Sequence, residues 1–205
     1  MRTLLEDQAA VLADWLDEVP VSAHLVEPVG LGDWTVRELV AHLGLGIGLS
    51  RYVATAADDA VPLSLADYVS AYPPAADQIA EMTRELSASF GDDLVGGFRR
   101  TAAEAFAALD AIPGEVLQAR RGPIRRDDYL LTRLLELVVH GDDLQRALDR
   151  SDAPLLAEAV ESVAAALAAA YAERTGAPAR DAVGLAWLRR AAGRVPSDEP
   201  GLPLL

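Results

Sequence analysis

The sequence predicts an all-α protein: a bundle of four long helices joined by long connections, over residues 1–150. A short helical extension over residues 151–205 packs on that bundle or forms a small lobe of its own. Three observations predict this. Apolar residues recur at spacings of three and four through most of the chain, the period of a helix with one buried face. No useful length alternates apolar with polar, as a half-buried strand does. Proline, glycine and capping residues cut the periodic stretches into helix-sized pieces.

Leu4, Leu5, Ala9, Leu12, Trp15, Leu16 and Val19 form one stripe, so residues 3–19 read as the first helix. Pro20 ends it, and a loop with Pro28, Gly30 and Gly32 follows. Thr35-Val36-Arg37-Glu38 has the form of a capping box, with Thr35 accepting from the backbone and Glu38 reaching back. The helix it opens is expected to run through His42 to about Ala54. Gly44, Gly46 and Gly48 lie inside it, each less favourable than Ala by about 1 kcal/mol. Such a run predicts close approach to the backbone, by a neighbouring helix or by a ligand.

Residues 58–62 read as a loop, and Ser64 as the cap of a segment from Leu65. Pro73-Pro74 break or restart it, with a helix from about Pro74 to Ser89. Gly91-Asp92-Asp93 open another, to about Leu109, and Ile112-Pro113-Gly114 stop it. Arg120-Arg121-Gly122-Pro123 read as a polar turn. Asp127 or Asp128 then starts the most apolar helix, through Leu130, Leu134, Leu137, Val138, Leu144 and Leu148. Ser151 and Pro154 open a helix that ends near Gly176, and residues 181–193 make a last short one. Pro196, Pro200 and Pro203 leave the tail extended.

Composition narrows the function. With 205 residues, 51% of them hydrophobic, a core forms without covalent staples. The chain carries 18 Lys+Arg against 32 Asp+Glu, a net charge of −14. That balance argues against nucleic acid and against an anionic membrane surface, both of which need a basic face. There is no Cys, which excludes disulfides, iron–sulfur clusters and a thiol nucleophile on the chain. No N-terminal stretch reads as a signal peptide. The longest apolar runs, such as Ala164 to Tyr171, fall short of the roughly 20 residues of a membrane span. A soluble, cytoplasmic protein, monomer or homodimer, is the expectation. Every basic residue is Arg and Asn is absent, the habit of a GC-rich genome.

Chemistry-bearing residues are few. Gly-rich phosphate loops, a nucleophile elbow and internal repeats are all missing. The histidines are His24, His42 and His140. Glu136 stands four residues before His140, so the two share a helix face. Helix bundles build metal sites from such inward Glu and His side chains on facing helices. His42, Glu136 and His140 together offer three ligands, which leaves a position open as catalytic sites do. A core histidine held by one hydrogen bond, beside a helix-surface Glu–His pair, is the competing reading. Asp143, three residues past His140, suits an outer partner for a ligand's second nitrogen. Otherwise it belongs, with Asp142, to a solvated acidic turn. His24 reads as an exposed loop residue and Trp34 as a packing anchor ahead of the cap. Arg120, Arg121, Arg125 and Arg126 form the one basic cluster, either a solvated loop or a landing place for an anionic ligand.

Two of these stretches resemble a known family. Asp33-Trp34-Thr35-Val36-Arg37-Glu38-Leu39-Val40-Ala41-His42-Leu43 is similar to a signature of the mycothiol-dependent maleylpyruvate isomerase family, part of the DinB-like group of metal-binding four-helix bundles. Glu136-Leu137-Val138-Val139-His140-Gly141-Asp142-Asp143-Leu144 resembles its second block. The resemblance covers roughly residues 1–150. It implies that His42, Glu136 and His140 ligate a divalent metal, zinc, and that mycothiol, a small actinobacterial thiol, is the cofactor. Arg125 and Arg126 are the residues expected to meet the cofactor's side of the site. The isomerase proper draws an arginine from a C-terminal lobe. Here Arg189, Arg190 and Arg194 are available, and none aligns.

The implied chemistry is thiolate addition to an electrophilic alkene or epoxide, giving an isomerase or an S-transferase. Metal coordination favours the thiolate over the thiol. Two alternatives use the same ligands. One is a hydrolase working through metal-bound water with Glu38 as base. The other is a non-catalytic bundle that holds a metal or a small ligand.

Overall fold

The computed structural model describes residues 1–72 and 75–205. The predicted break at Pro73-Pro74 lies outside the described residues. Four long helices make the central bundle: α1 (Arg2–Glu18), α2 (Val36–Gly48), α5 (Leu94–Ala111) and α6 (Arg126–Ala147). α2 packs against α5 and α6, and α1 packs against the same two. Between α2 and α5 come the short α3 (Leu65–Ser70) and α4 (Ala76–Phe90), and α4 lies along α2.

Local chemistry explains the helix starts. Thr35 sits in an extended conformation and the capping box forms: its backbone N–H donates to Glu38 Oε2 at 2.8 Å, and its hydroxyl accepts from the Glu38 N–H. Ser64 caps α3 and Asp93 caps α5 in the same manner. α2 is the most buried helix, with every residue from Leu39 to Gly48 inside the protein.

The glycines of α2 answer to neighbouring helices. A Cβ at Gly44 would lie 3.1 Å from the Phe90 ring of α4, and one at Gly48 would lie 2.7 Å from Thr101 Cγ2 of α5. At Gly46 it would meet Glu136 Cβ of α6 at 3.1 Å.

Residues 151–205 supply α7 (Ala157–Thr175) and α8 (Gly184–Ala191). α7 packs on α6, α3 and α1, and α8 packs on α7. Val163, Leu167, Trp187 and Leu188 join the same continuous core as the bundle helices. Gln8 of α1, fully buried, ties the connection down: its amide donates to the Pro154 carbonyl and accepts from the Leu156 N–H.

Several expectations shift. A three-stranded antiparallel sheet is present: β1 (Ala54–Thr55), β2 (Val116–Ala119) and β3 (Gly122–Arg125), in the order β1-β2-β3. Leu117 faces Ile124 across the β2–β3 hairpin, and Arg120-Arg121 form its turn. Strands of two to four residues are too short to show alternation, so the sequence pattern carries no trace of them. α2 stops at Gly48, short of Ala54, because a 3-10 turn over Leu49–Tyr52 leads the chain into β1. α6 begins at Arg126, directly from the hairpin, without an aspartate cap. The tail folds back: Leu204 is buried, and its N–H donates to the Ala191 carbonyl. Among the described residues, no helix is long and apolar enough to cross a membrane.

Candidate metal centre

α2 carries His42 into the bundle, and α6 carries Glu136 and His140, one turn apart, to face it. Glu136 Oε2 lies 3.4 Å from His42 Nε2 and 3.6 Å from His140 Nε2. One donor atom from each of the three residues falls within 4.8 Å of the others. The two imidazoles meet edge to face with centroids 4.6 Å apart.

Outer contacts aim these donors. Asp143 lies 3.0 Å from His140 Nδ1, and an ionised carboxylate only accepts, so the ring's proton belongs on Nδ1 and its lone pair on Nε2. His42 Nδ1 lies 3.2 Å from the Thr83 hydroxyl of α4, which accepts in the same tautomer. The His140 Nε2 lone pair therefore turns towards the Glu136 carboxylate, and the Thr83 contact allows His42 the same tautomer. Histidine ligands of metals are oriented by such second hydrogen bonds.

Electrostatics favour the same state. Burial pushes the His42 imidazole below its ordinary pKa, which keeps it neutral. Burial opposes ionisation of Glu136, but the close approach of His42 and the charge of Arg133 outweigh it and hold the carboxyl below its ordinary range. Burial also opposes ionisation of Asp143. The hydrogen bonds from His140 and Arg194 prevail and bring it down to about 2. Neutral imidazoles and an ionised carboxylate are what metal binding requires. Two nitrogens and one oxygen, preoriented and facing one point, fit a divalent transition metal.

The donors open onto a cavity of about 130 Å³ whose wall includes Leu45, Tyr72, Ile79, Arg121 and Arg133. Arg133 is 2% exposed, one turn before Glu136 on α6. It donates to the Gly46 carbonyl at 2.7 Å, the Tyr72 hydroxyl at 3.1 Å and the Thr132 hydroxyl at 3.1 Å. Arg121, from the hairpin turn, lies over the Tyr72 ring at 4.3 Å. Trp34 stands beside His42, ring centroids 4.7 Å apart, so the anchor ahead of the cap also walls the ligand.

Other candidates fall elsewhere. Arg125 and Arg126 do not line the cavity, and Arg126 caps the end of α5 through the carbonyls of Leu109, Ile112 and Gly114. His24 pairs with Glu27 in its loop, away from the centre. Glu38 is held by the capping box and by Arg84 at 3.6 Å. Asp142 and Asp143 are buried rather than solvated. Arg189 clamps Asp142 at 2.6 and 2.8 Å, and Arg194 holds Asp143 at 2.8–3.1 Å. Arg190 turns away, to the carbonyls of Arg180 and Asp181. The C-terminal arginines thus reach the outer carboxylates and not the cavity. Sequence reasoning missed Arg133, Tyr72 and Thr83. Arg133 was within reach, because its spacing of three from Glu136 places it on the same helix face. Tyr72 and Thr83 carry no local signal.

A family model described as the mycothiol maleylpyruvate isomerase N-terminal domain matches residues 5–145. No curated protein and no solved structure matches the chain. The matched span holds all three donors, with α2 and α5 whole and all but the ends of α1 and α6. The chain belongs to the family of the mycothiol maleylpyruvate isomerase N-terminal domain.

Proposed function

We infer that this protein is a thiol-dependent isomerase or S-transferase acting on a small electrophilic molecule, with zinc as its metal and mycothiol as its thiol. The observation that carries the reading is the convergence of His42, Glu136 and His140 on one small cavity, in a chain with no cysteine of its own. Those three residues would hold the metal, which when bound supplies acidification of a coordinated thiol.

The protein's own residues do the rest. Asp143 holds the His140 imidazole in the tautomer that presents Nε2, and the Thr83 hydroxyl accepts from His42 Nδ1 when that ring takes the same tautomer. The charge of Arg133 favours the ionised form of Glu136. Leu45 and Ile79 give the cavity apolar wall, and Trp34 packs beside His42. About 130 Å³ accommodates the reacting ends of thiol and substrate, so the body of a sugar-sized thiol rests at the mouth. The family match supports mycothiol as that thiol, and the all-Arg composition agrees with an actinobacterial source and a cytoplasmic thiol pool. Arg121, not Arg125 or Arg126, is the cluster member placed to meet an incoming ligand.

A hydrolase on the same ligands lacks its base. Glu38 is engaged at the start of α2 by Thr35 and Arg84.

Protein purified without chelator is expected to carry one zinc per chain. After cobalt replacement, titration with mycothiol is expected to raise a thiolate-to-metal charge-transfer band, and S-methylated mycothiol is not. An unchanged spectrum at millimolar mycothiol overturns the thiol reading and leaves the hydrolase or binding-protein alternatives.

A further inference from the structure

The Tyr72 hydroxyl occupies an unusual position. It lines the same cavity as the three donor residues, and its ring is held under the Arg121 guanidinium. Its oxygen accepts a hydrogen bond from Arg133, a buried cation pinned at two further points by the Gly46 carbonyl and the Thr132 hydroxyl. A phenol both accepts and donates. Arg133 takes one lone pair and, being a cation, repels the hydroxyl hydrogen to the far side. Among the described residues, no protein acceptor receives that hydrogen. Tyr72 is half-buried, and a hydroxyl hydrogen with no protein acceptor takes a water or a ligand as its partner. Here the open side is the cavity.

We propose that Tyr72 is a catalytic hydrogen-bond donor to the substrate atom on which charge develops, positioned by Arg133. The inference rests on the thiol-addition reading above. With an alkene conjugated to a carbonyl as electrophile, addition of a thiolate sulfur to the β-carbon forms a carbon–sulfur bond. The alkene pair moves to the α-carbon–carbonyl bond, and the carbonyl pair moves onto oxygen. That oxygen gains charge without a proton transfer, and the Tyr72 O–H bonds to it more strongly as the charge grows. The pair then has two fates. After rotation about the former double bond, it returns and expels the thiolate, giving the isomer. Alternatively the α-carbon takes a proton from water, and the thioether is retained. The phenol keeps its proton throughout: burial pushes its pKa above the ordinary value, which suits a donor and not a base.

Position also argues for electrostatic help at this point. The donors that hold the metal lie on α2 and α6, and Tyr72 enters from the end of α3, so it reaches a different part of the bound substrate. Arg133 is the positioning residue. It contacts the Tyr72 oxygen and the α2 backbone, and fixes the hydroxyl relative to Glu136 one turn away.

The test is Tyr72→Phe in the zinc-loaded full chain, which removes one oxygen and keeps the ring under Arg121. Two thiol-accepting probes are compared: an unsaturated ketone, whose charge develops on oxygen, and an alkyl iodide, whose charge leaves on iodide. The variant is expected to lose roughly 100- to 1000-fold in kcat on the ketone, the usual effect of deleting an oxyanion donor, and little on the iodide. Metal content and the cobalt band with mycothiol are expected to be unchanged. Equal losses on both probes, or none, overturn the proposal. A readout without turnover accompanies it: the infrared carbonyl stretch of a bound saturated ketone moves to lower frequency in the parent and not in Tyr72→Phe. Absence of that difference overturns the donor role. If the parent shows no thiol-dependent turnover of either probe, the function proposed above fails. The carbonyl stretch then still decides whether Tyr72 donates.

Discussion

His42 and His140 each commit one ring nitrogen to a protein partner and leave the other facing Glu136. That asymmetry separates a ligand role from a packing role. His140→Ala is expected to abolish stoichiometric zinc, measured by elemental analysis, while the far-ultraviolet spectrum of a helical protein persists. The fold survives because Asp143, the partner left behind, remains bonded to Arg194. A merely structural His140 would instead cost about 1–3 kcal/mol and leave metal content unaltered. Acidification gives a second check. Burial lowers the folded-state pKa of His42, so folding and metal both favour its neutral form. The stabilisation from that form is complete above the unfolded value of about 6.5 and is lost as pH falls below it. Zinc occupancy and the metal-dependent rise in melting temperature are therefore expected to decline together between about pH 6 and 5. Full occupancy at pH 4.5 would speak against histidine ligation.

The α2 helix accepts three glycines because three other helices press on it. Gly44 admits the Phe90 ring, Gly46 admits the Glu136 stem, and Gly48 admits the Thr101 methyl. Helix propensity alone favours alanine at each position. At Gly48 the contact outweighs it, since a Cβ would lie 2.7 Å from a buried branched side chain. Gly48→Ala is expected to lower stability to urea by about 1 kcal/mol, the overpacking penalty less the propensity gain. A stabilised variant would show that α2 and α5 separate more easily than their packing suggests. The capping box and the 22-residue α6 were legible in sequence, because their signals lie within four residues of one another. The sheet was not, because its strands are short and β1 lies about sixty residues from its partner β2.

Residues 151–205 are bound to the bundle by charge as well as by apolar packing. Asp142 of α6 is buried, and its bidentate partner Arg189 comes from α8. Removing Arg189 leaves that carboxylate without its cation, which costs several kcal/mol in a fully buried pair and about 2 kcal/mol here, where the arginine is a third exposed. Arg189→Ala combined with Asp142→Asn is expected to recover part of that loss, a coupling measurable by a double-mutant cycle in urea. Both single variants are expected to unfold in one transition, because the core is continuous across the two segments. Strict additivity, or two separate transitions, would mean that the C-terminal helices form an independent unit.

Periodicity determined the helices, capping chemistry determined where several of them begin, and two short motifs nominated His42, Glu136 and His140. These are signals between residues near in sequence, which any one turn of helix must satisfy locally. Only the tertiary structure decided the rest. Whether the glycines admit a ligand or a helix depends on what lies across α2, and it is Phe90, Glu136 and Thr101. Whether the Arg cluster meets a ligand depends on a hairpin that turns Arg121 to the cavity and Arg126 to the end of α5. Tyr72 and Thr83 join the centre from helices that share no pattern with it. Hydrogen bonds and burial act through space, and the residues they unite stand far apart along the chain, 61 positions for Tyr72 and Arg133 and 87 for Gly46 and Arg133.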